Sequence, residues 1–330
     1  MDFFQSTNLL YFLILALVLI ACINLYIKVA RQFGWRVLSD ILDHQNRPVV
    51  SGAGFIFPLS IFFIFLISEY LAFEPWMIGL ICLSALSWLD DFRNLPAIWR
   101  LIIHIFCIAT WLVGYQIPEI AWVWIAIVLF AGTGWMNAFN FMDGINGMMV
   151  MMSLVSLGTF YFVIGPGTLN IFIISQIITV LIFAYFNLRQ QAIAFAGDVG
   201  SISLGFFLGY LMWHLIQTSG RWEYLLFFSV FAIDAGITIL LRLFKRENIL
   251  QAHEHHLYQI MKKCFPERVL IISLGYALYQ LVLNIILIAL LRFNFAPLIM
   301  LVIILVFNVL IYSYLRVLFS KKLEKITQKV

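Results

Sequence analysis

The sequence predicts an all-α, polytopic membrane protein. It is read as a bundle of ten or eleven spanning helices, with the N-terminus outside and the C-terminus in the cytosol. Three observations predict this. The 330 residues are 64% hydrophobic and only 11% charged, against roughly 45–50% apolar and 25% charged in soluble domains. The apolar residues fall into runs near the ~20 residues that a helix needs to cross a bilayer. The basic residues collect on one side of those runs, as they do in cytosolic loops.

In order, the runs cover residues 9–27, 52–71, 75–89, 98–116, 120–136, 148–164, 169–187, 200–218, 223–241, 269–291 and 296–315. The third is short and the fifth runs into a polar segment, which gives the range of ten to eleven. The first run has no basic residues before it and no small-residue cleavage site, so it is expected to be a true span. The loop after it, 28–51, carries Lys28, Arg31, Arg36 and Arg47. With that loop in the cytosol, eighteen of the twenty lysines and arginines share its side, and only Arg221 and Arg292 oppose them. A basic tail on the same side requires an odd number of spans, hence eleven.

No soluble domain and no internal repeat interrupts the pattern, so residues 1–330 are read as one integral membrane domain. Its cytosolic loops, 28–51, 90–97, 137–147, 188–199 and 242–268, are expected to form any active site. The net charge of +4 follows from topology. Basic residues dispersed along a membrane face give no support to a nucleic-acid partner; the basic tail could meet membrane lipid, but an ordinary positive-inside tail explains it better. The four cysteines show no CxxC spacing, which argues against a disulfide or metal framework.

The carboxylates carry the chemistry. Asp90 and Asp91 stand side by side at a membrane boundary, where like charge and burial both penalise ionisation. A divalent cation would relieve that, and a solvated helix end would explain the pair equally well. Asn137, Asn140 and Asp143 recur at every third position. On a helix they lie close to one face, and oxygen ligands of this kind suit Mg²⁺ or Mn²⁺. Gly144 and Gly147 follow, where the backbone can turn or approach a ligand. The turn Gly197-Asp198-Val199-Gly200-Ser201 precedes another span, so it can cap that helix or present N–H groups to a phosphate.

The fifth cytosolic loop contains His253-Glu254-His255-His256. A zinc-protease HExxH would need histidine at 257, where Leu257 stands. Histidines near Lys245 and Arg246 suit an anionic or nucleotide ligand better. Asp234 lies inside the ninth run, where an ionisable residue is functional by default, although Arg242 is close enough for an ion pair. His44, His104 and His214 are read as structural. Polar groups from four loops converging on one face point to metal-assisted chemistry on phosphates.

These residues resemble the polyprenyl-phosphate N-acetylhexosamine-1-phosphate transferases (glycosyltransferase family 4). Asp90-Asp91-x-x-Asn94 is similar to the family's DDxxD/N, and Asn137-x-x-Asn140-x-x-Asp143-Gly144-x-x-Gly147 to its NxxNxxDGxxG. Gly197-Asp198-x-Gly200-Ser201 is similar to its GDxGS. The histidine segment followed by Tyr258-Gln259, together with the stretch from Asp234 through Thr238 to Arg242, is similar to the branch that initiates O-antigen synthesis. The sequence departs from the pattern at Val50 and Ser51, where relatives often carry a second proline and a basic residue. It departs again at Gln45, with His44 one place off, and at Glu254, where O-antigen-type members often have arginine.

The resemblance implies transfer of an N-acetylhexosamine 1-phosphate from a UDP-sugar to undecaprenyl phosphate, with release of UMP. This is the first step of lipid-linked glycan synthesis at a bacterial inner membrane, with the site facing the cytosol. It implies Mg²⁺ (or Mn²⁺) held by Asn140 and Asp198 with Asp91 near it. Asp90 is implied to deprotonate or orient the acceptor phosphate. Asn137, Asp143, Arg246, His253, His255 and His256 are implied to hold nucleotide or diphosphate. Relatives also imply a homodimer. N-acetylglucosamine and an N-acetylated 6-deoxyhexosamine are both plausible donor sugars, and the histidine segment disfavours a muramoyl-pentapeptide. The rival reading is a transporter or flippase that uses the carboxylates for ion coupling, which would need acidic residues near the bilayer midplane. A phosphatidyltransferase acting on CDP-lipids would group its aspartates in one compact segment.

Overall fold

The computed structural model describes residues 6–35, 37–43, 45, 47–67, 73–93, 95–113, 121–248, 254–293 and 296–328. In chain order the helices are α1 (Ser6–Phe33), α2 (Ile56–Ile67), α3 (Pro75–Arg93), α4 (Ala97–Leu112), α5 (Ala121–Met142) and α6 (Met148–Ile164). They continue with α7 (Thr168–Asn187), α8 (Gly197–Ser219), α9 (Ser229–Phe244), α10 (Leu257–Cys264), α11 (Val269–Arg292) and α12 (Pro297–Thr327). Apolar helices occupy all eleven of the runs read from the sequence. Seven are long and apolar enough to cross a membrane, and shorter apolar helices lie at 53–67, 75–90, 98–112 and 148–164. The chain is a polytopic α-helical membrane protein.

Several boundaries differ from the hydropathy reading. α5 continues past 136 through Met142, so Asn137 and Asn140 stand on its last turns. α12 continues to Thr327 because its basic end carries a regular helix beyond the apolar stretch. Residues 222–228 form a 3-10 turn before α9 rather than its first turns. A break in a membrane helix must have its backbone groups satisfied from outside it. Gln280 of α11 does this, accepting from the Val230 N–H at 2.9 Å and donating to the Leu226 carbonyl at 3.1 Å. Gln280 also donates to Asn284, which reaches Thr159 of α6. Polar side chains thus join helices where water is absent.

α8 lies at the centre and is almost wholly enclosed, whereas α1 and α12 expose most of their surface at the periphery. At one end of the bundle the loops knit together. The segment after α1 forms a short antiparallel hairpin of β1 (Val37–Leu42) and β2 (Pro48–Val50), an addition to the all-α reading. Asp43 closes it. The carboxylate accepts from the backbone N–H groups of Gln45 and Arg47, at 2.8 and 2.9 Å, and pairs with Arg31 and Arg47, each at 3.0 Å. Burial acts to raise its pKa, but the backbone N–H groups and Arg47 outweigh it and hold the group at about 2. β2 then runs beside the 188–196 loop, with a parallel bridge from Val50 to Ala194. Gly54 and Gly200 meet there backbone to backbone, and a Cβ on Gly200 would come within 2.7 Å of the Gly54 Cα. The second glycine of the Gly-Asp-x-Gly-Ser turn is therefore required by packing against the first loop.

Candidate active site

α5 ends at Met142 and α8 begins at Gly197, and the two helix termini face each other at this end of the bundle. Between them lies a cavity of about 410 Å³, lined by Asn140, Asp143, Asn146, Asp198 and Ser201, with Ser51, Asn187 and Lys262 among its other walls. The side-chain amide of Asn140 donates to the Asp198 carboxylate at 3.0 Å and to the Ser201 hydroxyl at 2.8 Å. Two segments nearly sixty residues apart in sequence are joined by that one amide. Asp143 stands just past the end of α5. Burial, and secondarily the charge of Asp198, push its pKa up to about 8.

Two carboxylates that disfavour each other's charge, together with amide and hydroxyl oxygens, form a set that suits a hard cation. Mg²⁺ is commonly held by one or two carboxylates plus water and substrate phosphates rather than by a complete protein cage. Among the described residues no cluster of three His, Cys, Asp or Glu side chains is present, so a full protein cage is not built here. The residues fit a cation shared with a ligand, held by Asp143, Asp198 and the oxygen of Asn140.

The remaining expected residues divide. Asp90 is buried and engaged, accepting from the Leu95 N–H at 2.6 Å and pairing with Arg100 at 3.2 Å. It does not line the cavity. His104 is buried on α4, in keeping with the structural reading of its lone position in sequence. Asn137 donates back to the Thr133 carbonyl of its own helix at 3.0 Å, one turn away from the cavity. The side chain of Asp91, and the whole of Asn94 and His253, lie outside the described residues. Arg246 is exposed on the turn after α9, in a left-handed conformation with φ of 56°. His255 is 3.5 Å from Glu247 and lines a separate polar cavity with Lys245, Lys263 and Arg316.

His256 has a different place from the one expected of a nucleotide ligand. It is buried at the start of α10, with its Nδ1 3.2 Å from the Asp234 carboxylate. Asp234 also accepts from the Leu257 N–H at 3.1 Å, Tyr276 at 2.8 Å, Tyr312 at 3.1 Å and Thr238 at 3.4 Å. The carboxylate ties α9 to α10, α11 and α12. The Arg242 partner suggested by spacing is not the one used, since Arg242 pairs with Glu247 at 3.1 Å and donates to the Asn248 carbonyl at 2.6 Å.

α10 is the element that sequence reading left as loop. Its apolar side buries Leu257, Tyr258, Ile260 and Cys264, while Lys262 and Lys263 are exposed. The Gln259 side chain accepts from the His256 N–H at 3.0 Å and completes a capping box. Tyr258 reaches across to donate to the Phe141 carbonyl at 2.7 Å, at the end of α5. Gly144 makes room for that ring, because a Cβ there would collide with the phenol. Burial, with the charges of Asp234 and Asp143 adding to it, holds the phenol well above its ordinary range, so it remains a donor. Through α10, Asp234 sets the position of Lys262 at the cavity. Lys262, Asn146 and Asn187 were not singled out from sequence, and Ser51 only as a departure from the family pattern. The apolar positions 257, 260, 261 and 264 beside two lysines were the signal available for α10.

Comparison with known proteins agrees with the geometry. Residues 74–216 match the sequence model of glycosyl transferase family 4. Over 120 residues, 36% of this chain and 34% of the relative, the chain is 35% identical to a phospho-N-acetylmuramoyl-pentapeptide-transferase of Streptococcus thermophilus. Over 130 residues, 38% of this chain and 37% of the relative, it is 33% identical to a protein of the same name from Streptococcus pyogenes. Each match spans about a third of the length of these curated relatives. The acidic pair, the asparagine–aspartate stripe and the Gly-Asp turn all fall within the matched segment, and over that segment the chain is similar to glycosyl transferase family 4.

Proposed function

We propose that this protein transfers an N-acetylhexosamine 1-phosphate from a UDP-sugar to undecaprenyl phosphate, releasing UMP, at the cytosolic face of a bacterial inner membrane. The observation that carries the reading is the convergence of Asn140, Asp143 and Asp198 on one polar cavity at an end of an apolar bundle. A lipid acceptor can keep its chain in the bilayer there while its phosphate meets a soluble nucleotide. An acceptor phosphate oxygen attacks the sugar-linked phosphorus of the donor. A new P–O bond forms, the bond to the bridging oxygen breaks, and UMP leaves with that oxygen.

The barrier is repulsion between anions, so positioning and charge stabilisation are what the protein must supply. A divalent cation bound at Asp143, Asp198 and Asn140 would supply Lewis-acid stabilisation of the diphosphate. Lys262 adds a positive charge at the cavity wall. The Asn140 amide, which also donates to Ser201, holds the Asp198 carboxylate. Asp90 is already engaged by Arg100, which supports an orienting role for it. Asp91 and His253 keep the roles that the family resemblance implies, whereas Asn137, Arg246 and His255 do not line this cavity and would reach the donor only beyond its walls.

Two alternatives are separated by specific observations. The names of the matched relatives favour a muramoyl-pentapeptide donor as the second reading. The transport reading needs a mid-membrane carboxylate available for coupling, and Asp234 accepts from five groups instead. The test is UMP release by the purified protein with Mg²⁺ and undecaprenyl phosphate. It uses a panel of UDP-N-acetylhexosamines and the UDP-linked muramoyl-pentapeptide, with Asp198→Ala as control. Acceptor-dependent release with a simple N-acetylhexosamine supports the first reading, and release with the pentapeptide alone replaces it with the second. No release from folded protein with any donor overturns both.

A further inference from the structure

α10 has a second neighbour. On the side away from the polar cavity, α9, α10, α11 and α12 enclose a groove of about 500 Å³. Its walls are almost wholly apolar, with Ile233, Leu257, Met261, Ile272 and Leu315 among them. Ile271 on its edge is 65% exposed, so the groove opens on the periphery of the bundle, where a membrane protein meets hydrocarbon. Gly275 lies on the wall formed by α11. A Cβ at that position would meet nothing within 4 Å. No packing neighbour explains that glycine, and its missing side chain widens the groove.

The cytosolic end of the groove is basic. Phe265 lines it, with the Arg268 guanidinium 5.7 Å and the Lys322 ammonium 3.8 Å from its ring centroid. Arg268 itself lines the groove. Both cations are exposed and have no carboxylate partner among the described residues. At the deeper end, Tyr279 donates to Asn308, so the polar groups there are paired. The result is an apolar slot in the membrane with two cations at its cytosolic mouth.

We propose that this groove is a binding site for an anionic phospholipid of the bilayer, with one acyl chain in the slot and the phosphate between Arg268 and Lys322. The chemistry of recognition is an apolar chain continuous with a negatively charged headgroup. Basic residues near the membrane surface favour acidic over zwitterionic lipid. The bound chain would press on Leu257 and Met261, on a different face of the helix that carries Lys262 to the polar cavity. The lipid therefore braces α10. The proposal does not depend on the transferase reading.

The test is lipid retention by the full chain, delipidated in detergent and then given phosphatidylglycerol, phosphatidylcholine, inorganic phosphate or undecaprenyl phosphate. Bound lipid is read by native mass spectrometry and unfolding temperature by thermal shift. Phosphatidylglycerol is expected to bind and stabilise, phosphatidylcholine to bind about tenfold more weakly, and inorganic phosphate to do neither. Gly275→Leu, which fills the slot, is expected to abolish retention. The pair Arg268→Gln and Lys322→Gln is expected to erase the preference between the two phospholipids while leaving the chain folded. Equal binding of both phospholipids to the wild type overturns the proposal. So does retention of phosphatidylglycerol by a folded Gly275→Leu variant. Displacement of phosphatidylglycerol by undecaprenyl phosphate would make the slot an acceptor channel, and a dimer that covers it would make it an interface. Either result replaces the proposal. Should Gly275→Leu fail to fold, the charge pair decides alone.

Discussion

Asp198 and Asp234 are both carboxylates of a membrane bundle, and their surroundings are opposite. Asp198 stands at the wall of a polar cavity, where the Asn140 amide at 3.0 Å is its hydrogen-bond partner among the described residues. Asp234 is fully buried and accepts from five groups on four helices. Burying a charge is costly unless hydrogen bonds replace water. At Asp234 they do, and the carboxylate holds α9, α10, α11 and α12 in place. At Asp198 they do so only in part, which leaves lone pairs for a ligand. The number and source of donors around a membrane carboxylate thus separate a group that holds the fold from one left with lone pairs facing a cavity.

The comparison can be broken most easily at its reactive side. Asp198→Asn keeps the shape and removes the charge, so UMP release is expected to fall by about 10²-fold or more, with little change in unfolding temperature. If unfolding temperature drops and activity per folded molecule does not, the roles are reversed. Asp234→Ala should show the other pattern. It strands buried donors, each costing about 1–3 kcal/mol, so a large loss of thermal stability in detergent is expected. Asp234→Asn retains an acceptor and should recover part of that stability.

Gly144→Ala sharpens the link between the two regions. It drives the Tyr258 ring off the end of α5 and should cost about 1–3 kcal/mol by overpacking. Activity should fall further than stability, because Lys262 moves with α10. Tyr258→Phe in the same chain removes the colliding hydroxyl and should relieve part of the defect.

The smallest effect is expected at Asp43, remote from both centres. Its pKa falls from 3.8 to about 2 on folding, so the folded state favours its ionised form. Its contribution is fully present above about pH 4 and is lost as pH falls toward about 2. The stability difference between wild type and Asp43→Asn, measured by thermal shift, should therefore shrink across that window. A difference that stays constant would show that the Arg31 and Arg47 contacts do not depend on the charge.

The helices were legible because each apolar run is close to the thickness of a bilayer and each polar gap is short. The bundle's polar end was legible in Asn140, Asp143 and Asp198, since amides and carboxylates at helical spacing beside glycines have few uses in a membrane. The partners of those residues were not legible. Asp234 pairs with His256, Tyr276 and Tyr312, which lie 22, 42 and 78 positions away, and no local spacing announces such contacts. Arg242, the partner that spacing did suggest, turns to Glu247. Lys262 was hidden for another reason. α10 is too short for periodicity to stand out, and the three histidines just before it drew the chemistry toward themselves. In sequence Gly144 reads as a place where the backbone can turn or approach a ligand and Gly200 as part of a capping or phosphate-binding turn, yet what they provide is room for the Tyr258 ring and for the Gly54 backbone.

The most direct test of the contrast is divalent-cation binding, followed by the electron paramagnetic resonance of Mn²⁺ in wild type, Asp198→Asn and Asp234→Asn. The account predicts a bound Mn²⁺ signal in the wild type that is lost in Asp198→Asn and retained in folded Asp234→Asn. A signal that survives Asp198→Asn and disappears in folded Asp234→Asn would contradict it.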